Sequence, residues 1–371
     1  MVLVFLYFDL FLIVHLVAKQ FKTVGAARLF QLVACFILLF GFFGFRDITV
    51  LNDTPHYYGF YYEKTKILSY QNESVFTYHL LDKFEYGFQI LIHFLIKYIS
   101  KEPYTIIILS SFVFSIGNIL FISKHTKQIA LACFMMIVSG VWFDQYSMIR
   151  QAFAIMFFYR AYPYLKAKKY KPYTLLIIIA SLFHISALIL LILPILQQIH
   201  ICPRNTIIVL ITAAIIALSI HIILSLIGLS DTFYFKMSMK RTALPIAAIF
   251  DGLLMTLLFV AYTWFRRKEL LHTDASTEYW IYILGLCICI VALAFLPFYR
   301  LNAYLWPFAY IFLFQSLEQH KSVFGTLMIL LLIRISVVFT FKNEWNHVIP
   351  YSFFNFNDRV HHYILYLQKE Q

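Results

Sequence analysis

The sequence predicts an all-α fold: a polytopic integral membrane bundle of about 10–14 transmembrane helices, with interfacial or re-entrant helices between some of them. Three observations lead there. Hydrophobic residues make up 62% of the 371 positions and charged residues only 13%. Apolar runs of about 16–25 residues, each long enough to cross roughly 30 Å of hydrocarbon, recur from end to end. The runs stay apolar on both faces, whereas a membrane barrel would show segments of about ten residues alternating in polarity.

The first run, Val2 to Ala18, has neither a charged leading region nor a small-residue cleavage site, so a retained helix is expected. Leu29 to Phe45 forms the second span. Lys and Arg concentrate in cytoplasmic connections, and the densest basic loops are 19–28, 123–127, 166–171 and 265–274. With all four inside, the amino terminus and the segment 46–103 lie outside. Only one crossing then fits before residue 123. Tyr86 to Ile99, short and carrying Lys97, becomes interfacial or re-entrant, and Tyr104 to Ile122 spans. The same parity bends 172–200, with Pro194 and a mid-run His184, into a re-entrant hairpin, which survives at membrane depth only where it lines a protein-enclosed cavity. Runs at 128–143, 148–165, 205–228, 243–264, 279–297, 300–318 and 322–341 complete about ten crossings, with both termini outside.

No repeat, low-complexity linker or composition shift divides the chain, so residues 1–371 read as one integral membrane domain. Cys35, Cys133, Cys287 and Cys289 lie in apolar runs and Cys202 in a short connection, which suits small core side chains and no disulfide framework. Zinc-protease, P-loop, dinucleotide and nucleophile-elbow motifs are absent from the sequence.

The polar residues at outer helix ends carry the functional signal. Arg46, Arg150, Arg241 and Arg300 all fall on the outer side of this topology. Arginine at a helix end commonly snorkels to the headgroups. Arg150, however, runs directly into "AFAIMFF", and Arg300 is enclosed by Pro, Phe and Tyr. A guanidinium in such surroundings needs an anion, and its planar fork matches phosphate. A phosphate-bearing ligand at the outer face follows. Asp47, Asp53, Glu63 and Glu85, with Tyr57, Tyr58, Tyr61 and Tyr62, add groups suited to sugar hydroxyls, and a carboxylate can serve one as general base. His184 interrupts an apolar run either as a core histidine bonded to a carbonyl or as a donor to phosphate.

The stretches "FGFRDITVLNDTPHYYGFY", "FEYGFQILIHFL", "FDQYSMIRQAFA", "IASLFHISALILLILPIL", "FYRLNAY" and "HVIPY", in that order from Gly41 to Tyr351, resemble the EpsG family of Wzy-type polysaccharide polymerases. The most specific part is the Arg150–Gln151 pair followed by the histidine of "LFHISAL". Arg46, Asp53, Tyr57, Glu85, Gly87 and Arg300 also fit the pattern. One departure is Leu51–Asn52, where the family commonly has glycine and a small polar residue before the aspartate.

The resemblance implies a multi-pass protein of the bacterial cytoplasmic (inner) membrane, and a GT-C-like membrane glycosyltransferase architecture is compatible with it. Its reaction would transfer a growing glycan from undecaprenyl pyrophosphate to a hydroxyl of another lipid-linked repeat unit at the outer face. Arg150 and Arg300 would grip the leaving pyrophosphate, with Arg46 or Arg241 assisting, Gln151 and Tyr57 binding substrate, and His184 donating. Asp53 or Glu85 would activate the acceptor. Expected partners are the lipid-linked repeat units, membrane lipid and a chain-length regulator protein; no nucleic acid, metal or soluble cofactor is called for. A glycan ligase and a transporter or flippase of lipid-linked or anionic solutes are the competing readings.

Overall fold

The computed structural model describes residues 2–70, 84–226, 228, 233–239, 245–266, 276–318, 320–341 and 347–354. The helices run in order as Val2–Ala18 (α1), Val24–Gly44 (α2), Thr54–Tyr70 (α3), Tyr86–Tyr98 (α4), Thr105–His125 (α5), Ile129–Val138 (α6), Val141–Ser147 (α7) and Ile149–Lys166 (α8). They continue as Tyr170–Ser181 (α9), Leu193–Leu196 (α10), Pro203–Leu226 (α11), Phe233–Met239 (α12), Ile246–Arg266 (α13), Ser276–Ala294 (α14), Trp306–Leu317 (α15) and Lys321–Phe341 (α16). Two 3₁₀ segments, Ile185–Ile192 and Leu296–Tyr304, lie between them. The sole β pairing among the described residues is an isolated bridge between Arg46 and Phe353. The chain is an all-α polytopic membrane protein.

Among the described residues, fewer long spans form than the apolar runs suggest. Six described helices (α2, α5, α11, α13, α14 and α16) are long and apolar enough to cross a membrane, and a seventh if α6 and α7 count as one bent span. The shortfall has local causes. The run at 128–143 breaks at Gly140, whose φ of 84° ends α6 and turns the chain by 75° into α7. The run at 300–318 is divided between a 3₁₀ segment and α15, each with proline in its first turn. Helix α8 reaches 18 residues but carries Arg150, Arg160 and Lys166, and α1 has 17. Segment 172–200, expected as a re-entrant hairpin and not as a crossing, is interrupted, with α9 ending at Ser181 and a 3₁₀ stretch beginning at Ile185.

The described chain clusters into two compact units. The first comprises residues 1–160, 175–187 and 322–371, and therefore holds the described part of the expected outer segment 46–103. Within it α1 packs on α2 and α6, α2 on α5, and α3 on α4 and α5. Phe8, Phe42, Phe43 and Phe143 interlock at its centre with ring centroids 5.0–6.1 Å apart. The second unit comprises 161–174 and 188–321 and is built around α14, which packs on α10, α11, α13, α15 and the 3₁₀ segment Leu296–Tyr304. There the buried Glu278 accepts from the Tyr262 hydroxyl at 2.9 Å and lies 3.5 Å from Lys166 Nζ. All five cysteines are free thiols.

A candidate active site around Arg150

Short helix α7 organises the first unit's polar centre. It is rich in groups that hydrogen-bond outward from an otherwise apolar surrounding. Gln145 Oε1 accepts from Asn118 Nδ2 at 2.9 Å, and Asn118 Oδ1 in turn accepts from the Tyr159 hydroxyl at 3.0 Å. The Tyr146 hydroxyl pairs with Ser115 Oγ at 2.8 Å while its ring stacks on Phe43 at 3.9 Å. Ser147 Oγ accepts from the Asp53 backbone N–H at 3.3 Å. Each bond satisfies a buried polar group, and together they fix where α8 begins.

Arg150 is the second residue of α8. Its Nη1 donates to Glu85 Oε2 in a close ion pair, and the guanidinium carbon sits 4.4 Å from the centroid of the Phe84 ring. One dipeptide thus offers both a carboxylate and an aromatic face, the two surfaces a guanidinium favours. The Arg150 N–H approaches the Tyr57 hydroxyl at the long distance of 3.5 Å. Tyr57 packs edge-on against Phe88 with centroids 5.6 Å apart, which holds α3 and α4 together under the arginine.

Glu85 is the N-cap of α4, yet its side chain does not cap that helix. It reaches instead to the break between α9 and the 3₁₀ segment: Oε1 accepts from the Ile185 N–H at 3.2 Å and lies 3.2 Å from His184 Nδ1. The imidazole contact is one of charge and proximity, since Nδ1 makes no aligned hydrogen bond. Two residues along, the Gly87 N–H donates to Leu182 O at 2.8 Å. A side chain at Gly87 would place its Cβ 2.8 Å from that oxygen and 2.9 Å from Leu182 Cβ, so only glycine permits this close approach. The histidine is thereby brought to the carboxylate from 99 residues along the chain.

Side-chain exposures of 22% for Arg150, 17% for Glu85 and 26% for His184 make this a half-buried cluster that a ligand can reach. Burial would raise the Glu85 carboxyl, but His184 at contact distance and the Arg150 charge outweigh it and lower the group to about 2. Glu85 is therefore a permanent anion at neutral pH. The Tyr57 hydroxyl is raised above its ordinary range, chiefly by burial; Arg150 opposes the shift and Asp53 adds to it. Tyr57 stays a neutral hydroxyl.

Of the residues singled out by sequence, Arg150, Glu85, His184 and Tyr57 come together, with Asp53 one turn before Tyr57 in the chain. The Tyr57 N–H donates to Asp53 O at 3.3 Å. Leu51, two residues earlier, has φ 70° and is fully buried. This left-handed conformation favours glycine, so Leu51 holds a glycine-type turn at some backbone strain. Gln151 is buried beside Arg150 in sequence.

Arg46 is placed differently from an arginine at an exposed helix end. It is fully buried, donating to Thr54 Oγ1 at 3.2 Å, Ser111 Oγ at 2.9 Å, Tyr146 O at 3.3 Å and also to Phe43 O. These bonds tie α2, α3, α5 and α7 to one another, so the geometry gives Arg46 a scaffolding role behind the cluster. Tyr104 continues it, donating to Arg46 O at 2.8 Å and stacking on Phe354 at 3.6 Å. Asp47 is likewise internal, accepting from Thr49 N and Thr49 Oγ1 at 3.0 and 2.7 Å. Arg300 belongs to the second unit, exposed on the 3₁₀ segment Leu296–Tyr304, and Arg241 lies outside the described residues. Phe84 and Ser147 are the members the sequence reading did not assign. The adjacency of Phe84 to Glu85 was the available signal for the first.

Among the described residues no group of three or more His, Cys, Asp or Glu side chains is close enough to hold a metal ion. The arrangement can bind an anion by exchange with, or alongside, Glu85, offering a guanidinium, an imidazole and a tyrosine hydroxyl from three separate chain segments.

Fold and site together define a polytopic helical membrane protein with an arginine-centred, half-buried ionic site between short helices. The model of the EpsG family matches residues 29–353, and the chain belongs to that family. Membership is consistent with the Wzy-type polysaccharide polymerases and supports a membrane glycosyltransferase-like role in polysaccharide biosynthesis. Neither the curated proteins nor the solved structures compared with the chain gave a match.

Proposed function

We propose that the protein polymerises glycan repeat units, transferring a growing chain from a lipid pyrophosphate such as undecaprenyl pyrophosphate to a hydroxyl of a second lipid-linked unit on the outer face of the cytoplasmic membrane. The observation that carries this reading is the meeting of Arg150, Glu85 and His184 at one half-buried point. As the bond between the anomeric carbon and the pyrophosphate oxygen breaks, negative charge grows on the leaving group and the sugar becomes oxocarbenium-like. Arg150, held ready over Phe84, stabilises that charge more in the transition state than in the ground state. His184 supplies a second donor. The acceptor oxygen bonds to the anomeric carbon and its proton passes to a carboxylate.

Asp53 is the carboxylate we assign to that proton. Glu85 was the other candidate, but a carboxyl lowered to about 2 is a weak base at neutral pH. Its part is to orient Arg150 and His184. Mass spectrometry of lipid-linked glycans from cells lacking the protein, complemented with the intact chain or with Arg150→Ala, tests the whole scheme. Single repeat units accumulating on the lipid in both the deletion and the Arg150→Ala strain are expected. Full-length polymer retained on the lipid would indicate a ligase, and an unchanged lipid-linked pool would remove the polysaccharide reading.

Two further outcomes follow from the geometry. Gly87→Ala should push the Leu182–His184 turn away from α4; displacements near 1 Å in such sites cost on the order of a hundredfold in rate. Polymerisation measured with purified protein should fall by that order while protein yield is maintained. Acid should act through Glu85. Its folded value of about 2 lies below the ordinary glutamate value of about 4.3, so its stabilising contribution is complete above about 4.3 and is lost as pH falls toward 2. Thermal unfolding in detergent should show this acid-dependent loss in the intact protein, and the loss should shrink in Glu85→Gln.

A further inference from the structure

We propose that Arg334 is a positioning residue for the Arg150 site, acting through the broken span α6–α7; the inference rests on the reading of Arg150 as part of that site. Arg334 lies within α16, inside the apolar run "LLLIRISVVF" of a helix long and apolar enough to cross a membrane, where a charged side chain needs a partner. Its Nη1 donates to Ser139 O at 2.6 Å. Ser139 is the residue at which α6 ends, one before the left-handed Gly140.

A helix that breaks at membrane depth strands carbonyl groups that hydrocarbon cannot satisfy. At this break most are met locally. Ser139 N–H donates to Met135 O at 2.9 Å, Ser139 Oγ to Met136 O at 2.8 Å and Gly140 N–H to Ile137 O at 3.1 Å. The Ser139 carbonyl is taken by the arginine from α16. A cation also suits the partial negative charge at the C-terminal end of α6.

The consequence lies at the other end of α7. That end is fixed by Arg46 on Tyr146 O, by Asn118 on Gln145 and by Ser115 on Tyr146. The near end turns on a glycine. Helix α7 is roughly 10 Å long, so a 10° swing at Gly140 would shift its far end by about 2 Å. Such a shift would carry Arg150 away from Glu85 and Phe84. Two arginines therefore hold the short helix, Arg46 at its far end and Arg334 at its hinge.

The test uses the full chain in lipid nanodiscs, with Arg334→Met removing the donor and Arg334→Lys retaining a cation. Hydrogen exchange over residues 139–149 is read first, with α14 as an internal control. Exchange at 139–149 should rise at least about tenfold in Arg334→Met, α14 should not change, and Arg334→Lys should recover much of the protection. With a lipid-pyrophosphate-linked oligosaccharide as substrate, kcat should fall about tenfold or more in Arg334→Met with KM little moved, again partly restored by lysine. Unchanged exchange at 139–149 overturns the proposal, as does a rise spread equally over α14 or a lysine variant no better than methionine. If the intact protein shows no polymerisation, the proposed function fails, and the exchange result alone decides whether Arg334 sets α7.

Discussion

Replacing Arg150 with lysine is expected to lower polymerisation by on the order of a hundredfold, and with alanine by more. Lysine retains the positive charge, so the loss tests geometry and not charge alone. The native guanidinium sits over Phe84 with its carbon 4.4 Å from the ring centroid and simultaneously pairs with Glu85. An ammonium is a compact, strongly hydrated point charge that cannot present the same fork while stacked. It should therefore keep the ion pair with Glu85 and lose the second donor that a pyrophosphate oxygen would use. Steady-state kinetics on a lipid-linked donor should place most of the loss in kcat, because the interaction strengthens as charge develops. Full activity in Arg150→Lys would eliminate bidentate recognition.

Composition and run length made the helical membrane fold legible, because an apolar run of 20 residues has few other solutions. The breaks were less visible. Pro194 and His184 advertised an interruption in 172–200, whereas the run at 128–143 reads as one continuous span. There Gly140 takes a left-handed conformation that hydropathy does not register. Segment by segment, the site residues were legible too, as polar groups where apolar ones were expected. Their pairing was not. Glu85, Arg150 and His184 are separated by 65 and 34 positions, and what joins them is a glycine contact at Gly87 and a set of α7 hydrogen bonds that no spacing rule expresses. Arg46 shows the same limit from the other side. A buried arginine and a snorkelling one look alike at a helix end, and the difference rests on Thr54, Ser111 and Tyr146, up to 100 residues away.

Glu85→Gln separates an orienting carboxylate from a base. The amide keeps the shape of the side chain and can still accept from the Ile185 N–H, so the turn at 182–185 should stay docked. What disappears is the charge facing Arg150 and His184. Breaking a fully buried ion pair costs about 3–5 kcal/mol; with both side chains partly exposed, solvent screening reduces this, and about 1–3 kcal/mol of stability is expected to go. Arg150, no longer held over Phe84, should lose its preorganisation, and the rate should fall on the order of a hundredfold. A base has a different signature. If Glu85 took the acceptor's proton, Glu85→Gln would abolish turnover on top of the same loss of stability, and Asp53→Asn would be tolerated. With Glu85 orienting, Glu85→Gln keeps a residual rate on the order of a hundredfold down, and Asp53→Asn loses rate with stability kept. Measuring melting temperature and kcat for the two variants side by side distinguishes them, since each residue's assignment fails on a different half of the comparison.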